Sequence, residues 1–353
     1  MRPDHPDGYG VNFKLPLRRL FSLAVVLAAL ACALSPDRAV AQRAVLAFEN
    51  DAFARTDRDY TFGFHGSIVF DDFARDRLAA QAFDFVRPGL VTFGAPAGPV
   101  RQQFEWIIGQ SIFTPDHVSN AVRMPGDRPF GGWLYTGFNA AQEVKGSRLD
   151  TFEVLAGAVG GSASLAYDVQ NGFHRLLGEK QIARGYELKN EPGILISWDR
   201  RWMFGVESAD KWGMDIVPSV GLTVGNVFTY ASAGALARVG RSLQTSWGPA
   251  MVRPSISGTS FISPDPTGPY FGFALFGGVQ GRAVAHNAFL DGNTIDPAIS
   301  VTRKPLVYDL IGGIEGFTQT GYTLSLTMVR RSQEYTTQPK PSVFGSIAAS
   351  VRF

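Results

Sequence analysis

Hydrophobic and polar positions alternate with a period of two along most of the chain beyond residue 42, the pattern of strands with one apolar face. Phe62, Phe64, Gly66, Ile68 and Phe70 fall on one side of an extended segment, opposite Gly63, His65, Ser67 and Val69. Phe104, Trp106 and Ile108 alternate with Glu105, Ile107 and Gly109, and Tyr322, Leu324, Leu326 and Met328 alternate with Thr323, Ser325 and Thr327. Twelve strands are predicted, near 43–50, 60–71, 102–112, 131–144, 149–158, 193–204, 214–226, 228–239, 270–288, 305–318, 320–331 and 342–353. One stretch, Ser162–Gly178, has helical period instead. There Leu165, Val169, Phe173 and Leu176 share one side, which is expected to pack, and Tyr167, Gln170, Asn171 and His174 share another. Gly172 is expected to let that helix lie close to a neighbour.

Alternation alone fits a soluble sandwich with apolar faces inward and an outer-membrane barrel with apolar faces outward. The N-terminus separates them. Lys14, Arg18 and Arg19 precede an apolar run from Leu20 to Leu34, followed by Ala39-Val40-Ala41, which reads as a secretory signal over residues 1–41 with cleavage before Gln42. The sole cysteine, Cys32, lies in that signal, so the exported chain holds together without disulfides. Aromatic residues make up 12% of the chain and charged residues only 18%, with 39 glycines, a balance that suits a membrane barrel better than a soluble enzyme. The C-terminal SVFGSIAASVRF puts Val343, Ile347, Ala349, Val351 and a terminal Phe353 on one face, like the assembly signal of outer-membrane barrels.

The fold expected is therefore all-β, a transmembrane antiparallel barrel of about twelve strands in the bacterial outer membrane, comprising residues 42–353, with one α-helix in an extracellular loop near 162–178. Twelve is even, as such single-chain barrels require. With both termini periplasmic, 51–59, 113–130 and 159–192 share the extracellular rim. The same parity makes 72–101 and 240–269 periplasmic connections, longer than the short turns usual there. Charge argues against nucleic acid as a partner. The formal net charge of +2 is accounted for by five basic residues (Arg2, Lys14, Arg18, Arg19, Arg38) and three acidic ones (Asp4, Asp7, Asp37) before residue 42, which leaves the exported part neutral.

Four rim stretches do not read as barrel wall: Phe48–Asp51, Thr56–Thr61, Gly126–Phe130 and the helix carrying Gln170 and His174. The pair Asn50-Asp51, with Asp57 and Asp59 across the first loop, offers hard oxygen ligands suited to Ca²⁺; the same residue types also serve as ordinary loop and Asx-turn residues. A neutral imidazole can take a proton from water, and a metal ion can hold the developing oxyanion of an ester. The combination points to a water-attack esterase. No Gly-Xaa-Ser-Xaa-Gly nucleophile elbow is present.

These stretches resemble the motifs of the lipid A 3′-O-deacylase (LpxR) family of Gram-negative outer membranes, in the same order. They are Glu49-Asn50-Asp51, Thr56-Asp57-Arg58-Asp59-Tyr60-Thr61, Gln110–Pro115, Asp127-Arg128-Pro129, Gln170–Arg175, Lys189–Gly193 and Leu290–Thr294. The resemblance implies Ca²⁺-dependent removal of the 3′-linked acyloxyacyl group of lipid A, at a site between the barrel wall and the loop helix. On matching positions it makes His174 the general base, assigns Asn50 and Asp51 to the metal and oxyanion site, and gives Thr61 and Gln170 orienting roles. Arg128 is expected to bind a lipid phosphate, and the working unit is expected to be a monomer in contact with lipopolysaccharide. Where the family commonly has Gly-Trp before the Lys-Asn-Glu-Pro motif, this chain has Gly185-Tyr186. Two alternatives stand beside the enzyme: a pore or structural barrel with the helix as a plug, and a barrel phospholipase. Inward positions such as His65, Glu105, Ile107 and Val69 favour a narrow, filled interior over an open pore.

Overall fold

The computed structural model describes residues 43–352 except 55–57, 71–76, 93–99, 117–125, 145, 178–181, 183, 253, 255–260, 264–267 and 295–298. The expected signal over residues 1–41 and the terminal Phe353 lie outside the described residues. The strands are β1 (Arg43–Asn50), β2 (Asp59–Phe70), β3 (Val100–Thr114), β4 (Gly131–Val144), β5 (Arg148–Gly160), β6 (Glu191–Trp202), β7 (Phe204–Glu207), β8 (Trp212–Gly225), β9 (Phe228–Arg241), β10 (Phe271–Asn287), β11 (Leu306–Thr318), β12 (Thr323–Arg331) and β13 (Ser342–Arg352). Each pairs antiparallel with its neighbours. The sheet closes where β1 meets β13, from Arg43↔Arg352 to Asn50↔Gly345, and where β6 meets β8. Short β7 continues β6 past Met203 and pairs with the lower part of β8, so the barrel has twelve staves and one extra piece.

The alternating pattern has the sense expected in lipid. Ile108, Ile194, Met214, Leu222, Leu275, Ile314, Leu324 and Leu326 are exposed on the outer wall. No described helix is long and apolar enough to cross a membrane; the crossing is made by strands. The inner face is polar and filled. Asp309 on β11 receives both guanidinium groups of Arg282 and Arg331 at 2.8–3.1 Å, Arg238 grips Asp215 at 2.6 and 2.8 Å, and Glu105 accepts from Ser67 at 2.5 Å and Asn139 at 3.0 Å. A charge held away from water needs such a partner, so the lumen is built from matched pairs.

The two long periplasmic connections have separate explanations. The segment after β9 turns back into the lumen. Its Trp247 is fully buried and donates through Nε1 to Glu143 Oε1 at 2.8 Å, its carbonyls at Ser246 and Trp247 accept from Arg238 and Arg201, and the Val252 amide reaches Glu49 near the far end of β1 at 2.9 Å. The connection after β2 forms the helix Arg77–Thr92, which lies on the outside of the barrel. Phe83, Val86 and Leu90 pack it on Phe104, Phe138, Ala140, Phe152 and Val154 of β3, β4 and β5. Gly89 permits the approach: a Cβ there would stand 2.3 Å from the Phe152 ring.

Candidate active site at the extracellular rim

The loop helix expected near 162–178 forms over Ala166–Leu177 and packs against the outside of the wall. Outward side chains of β1–β3 prepare its seat. Register pairs Phe48 with Phe64 and Asn50 with Phe62, so these four point the same way. Phe48 and Phe62 meet edge to face at 5.3 Å, and Phe62, Ile112 and Phe130 form a cluster with Ala166 and Tyr167 in which Val169 joins. Gly132 on β4 lets the helix start close in, because a Cβ there would lie 2.6 Å from Ser164 Oγ and 2.8 Å from Ala166 Cβ. Gln110 Nε2 donates to the Ser164 carbonyl at 2.5 Å, tying the same point to β3.

The expected packed side is met at Val169, which joins the aromatic cluster, and not at Leu165. Leu165 precedes the helix with φ of 57° and is half exposed, while Ala166, Tyr167, Gln170 and His174 are buried and Val169 is partly so. The side chains of Phe173 and Leu176 lie outside the described residues. The buried side joins the apolar contacts of Ala166, Tyr167 and Val169 to the polar pair Gln170 and His174. Gly172 has nothing within 4 Å of where a Cβ would stand, so it faces open space and does not serve a close approach.

Gln170 Nε2 lies 3.1 Å from His174 Nε2. With the amide in this orientation the imidazole accepts, and its proton sits on Nδ1. Across the interface, Asn50 donates to the Thr61 carbonyl at 2.8 Å and accepts from the Ala52 amide at 2.7 Å, an Asx-type turn that ends β1. Asp51 accepts from the Arg58 amide at 2.9 Å. Thr61 sits at a bulge between Tyr60 and Phe62, its hydroxyl 2.7 Å from that of Thr114. Asn50, Thr61, Gln170 and His174 thus belong to the wall and the helix that it seats, with Asp51 at the head of the first loop.

Asp59 and Arg128 turn elsewhere. Arg128 is fully buried, 3.5 Å from Glu334 and 3.9 Å from Asp59, with its guanidinium 4.7 Å over the Phe113 ring. The Tyr335 hydroxyl is 3.4 Å from Asp59. This cluster caps the lumen, whereas the phosphate-binding reading needs a guanidinium open to lipid. Asp57 lies outside the described residues. Among the described residues no three His, Cys, Asp or Glu side chains gather as a metal group. The Asn50 amide oxygen and the Asp51 carboxylate, neighbours in sequence that each already accept a backbone amide, are hard donors of the kind Ca²⁺ takes.

Several residues that hold the helix carry no chemistry that patterning could reveal. Tyr167 donates to Glu187 at 2.7 Å, and burial, together with the hydrogen bond and charge of Glu187, pushes its phenol well above the ordinary range. Tyr186, at the position where the family commonly has tryptophan, donates to the Asp127 carbonyl at 2.6 Å, while Phe130 exchanges backbone bonds with Tyr186 and Leu188. The Asn293 side chain bonds both the amide and the carbonyl of Lys189 at 2.8 Å, the Thr294 amide donates to Glu191, and Asn190 accepts from the Ala163 amide at 2.9 Å. The motifs Asp127-Arg128-Pro129, Lys189–Gly193 and Leu290–Thr294 therefore interlock as the frame of the loop helix. Motif order was the only signal for them.

The sequence profile of the family described as outer membrane protein LpxR matches residues 20–353. The chain belongs to that family. LpxR from Salmonella typhimurium superposes with a TM-score of 0.69 at 19% identity, over 88% of this chain and all of that one. At that identity the likeness speaks for the fold. The β domain of the Bordetella autotransporter BrkA is more distant, with a TM-score of 0.40 at 10% identity over 89% of this chain and 98% of that one. No curated protein matches the sequence. As a member of the LpxR family with a closed twelve-stranded barrel, the protein is an outer-membrane protein, and family membership suggests an enzyme that modifies lipid A.

Proposed function

We propose that this protein hydrolyses the 3′-linked acyl ester of lipid A in the outer leaflet, working as a monomer, with His174 as general base. The observation that carries the reading is the buried Gln170–His174 pair on a helix seated against Phe48 and Phe62, on the two strands that also carry Asn50 and Thr61. For His174 to take a proton from water the Gln170 amide turns over, so that its oxygen accepts from Nε2–H and the Nδ1 lone pair is left for the water. Water attacking the ester carbonyl gives its proton to His174, and the imidazolium returns it to the departing sugar oxygen. Asn50 and Asp51 would hold Ca²⁺, which when bound stabilises the negative charge that develops on the carbonyl oxygen. The Thr61–Thr114 hydroxyl pair stiffens the bulge that fixes the Asn50 side chain, and the apolar outer wall beside the helix accepts acyl chains directly from the membrane.

Purified protein in detergent, given lipid A, should release one acyloxyacyl group detectable by mass spectrometry. Activity should vanish with a Ca²⁺ chelator and return with added Ca²⁺, and His174→Ala should lose at least ~10²-fold in kcat. Full activity in His174→Ala would overturn the mechanism, and preferential cleavage of a glycerophospholipid in the same assay would overturn the substrate.

A further inference from the structure

The helix Arg77–Thr92 is a periplasmic connection folded up onto the part of the wall that ought to face lipid. Its buried side is apolar, yet its outer side is mixed: Gln81, Asp84, Phe85, Arg87 and Pro88 are exposed, Phe85 by 73%, and Asp84 and Arg87 stand 3.9 Å apart. A helix with charges outward cannot sit in hydrocarbon, and one packed on Phe138 and Val154 cannot be clear of the membrane. Only the headgroup boundary satisfies both.

The wall beside it has the same character. One register row on the outer face runs through Gln102, Gln142, Asp150 and Arg200, directly below the row of Phe104, Ala140, Phe152 and Trp198. Within the polar row Gln102 donates to Gln142 at 2.8 Å and Arg200 to Asp150 at 2.6 Å. At the corresponding end of β8 the outward residues Trp212, Met214 and Ile216 are apolar and exposed. Below the polar row on the same face lie Val100, Val144 and Trp202, with Arg148 among them, so polar and apolar positions mix at this end of the wall.

We propose that this helix is an interfacial anchor in the inner leaflet, with Asp84 and Arg87 among phospholipid headgroups and Phe85 among the upper acyl chains. This is the side of the barrel that also carries the loop helix Ala166–Leu177.

The test uses the whole protein with Cys32→Ser, reconstituted in phosphatidylethanolamine–phosphatidylglycerol vesicles, carrying a nitroxide at Phe85→Cys, at Asp84→Cys or, as a second outward reporter, at Gln81→Cys. Heat-modifiable migration checks the fold of each. Collision with oxygen relative to a water-soluble nickel chelate should be several-fold higher at 85 than at 84, with 81 between them. Equal, chelate-dominated values at all three would place the helix in water. Equal, oxygen-dominated values would place it in hydrocarbon, and shielding of all three from both reagents would mean that protein covers it. Each of these three results overturns the proposal.

Discussion

Arg128 shows how a residue type can be read correctly as charged and misread as available. Its guanidinium lies between Asp59 and Glu334, over Phe113, with no exposed surface. Replacing it with methionine removes the guanidinium beside Asp59 and leaves Glu334 with Arg331 alone, at 3.9 Å, and breaking a buried pair in this way costs about 3–5 kcal/mol. Arg128→Met should therefore lower the unfolding transition, followed by heat-modifiable gel migration, while the KM for lipid A stays unchanged. A residue that bound lipid phosphate would show the reverse. His174 differs in kind: helical period sets it beside Gln170 on one side of the loop helix, residue chemistry marks Asn50 and Asp51 as hard oxygen ligands, and motif order adds Thr61.

At the scale of elements, the strands were legible because lipid outside and a filled lumen inside enforce period two over many residues. The loop helix was legible as a helix and Val169 as part of its packed side, but the exposure of Leu165 was not. Its seat consists of aromatic residues from three strands far apart in sequence, and that decides which face is buried. The frame that holds the helix includes the short turn Ala288–Asp291. There Asp291 accepts from the Asn287 amide at 2.8 Å and from Arg303 at 3.0 Å, with His286 at 3.4 Å. Burial alone would raise the Asp291 carboxyl, but the contacts with His286, Asn287 and Arg303 outweigh it and bring it below its ordinary 3.8. A depressed carboxylate stabilises the fold above its unfolded pKa and loses that contribution as pH falls through the folded value. Amides of Gly292–Thr294 should exchange more slowly in the native chain than in Asp291→Asn near neutrality. That difference should shrink below about pH 3.8, the ordinary aspartate value, as measured by pulsed hydrogen exchange read by mass spectrometry.

For the whole molecule, the most informative mismatch is the pair of long periplasmic connections. Length alone marked 72–101 and 240–269 as unusual, and neither destination could be inferred, because an amphipathic helix outside and a plug inside both need the barrel to exist first. The plug carries a direct consequence. With Trp247 and Met251 buried among the lumenal pairs, the native protein should show no steady conductance in planar bilayers. Exchanging residues 246–262 for a short Gly-Ser turn should produce discrete channels. Conductance of the unaltered protein would favour the pore reading over the enzyme.

Closure of the barrel has a kinetic meaning as well. The seam joins Arg43 to Arg352 and Asn50 to Gly345, so its hydrogen bonds connect the two ends of the described chain, some three hundred residues apart. Such a contact is the most distant in sequence that this protein can make, and contacts of that kind form slowly. Until β13 is in place, β1 and β12 both present open edges to the periplasm, where strand edges recruit other chains. The seam thus sets a waiting time during which the polypeptide needs to be held apart from its neighbours, and loss of the last strand would make that waiting time endless.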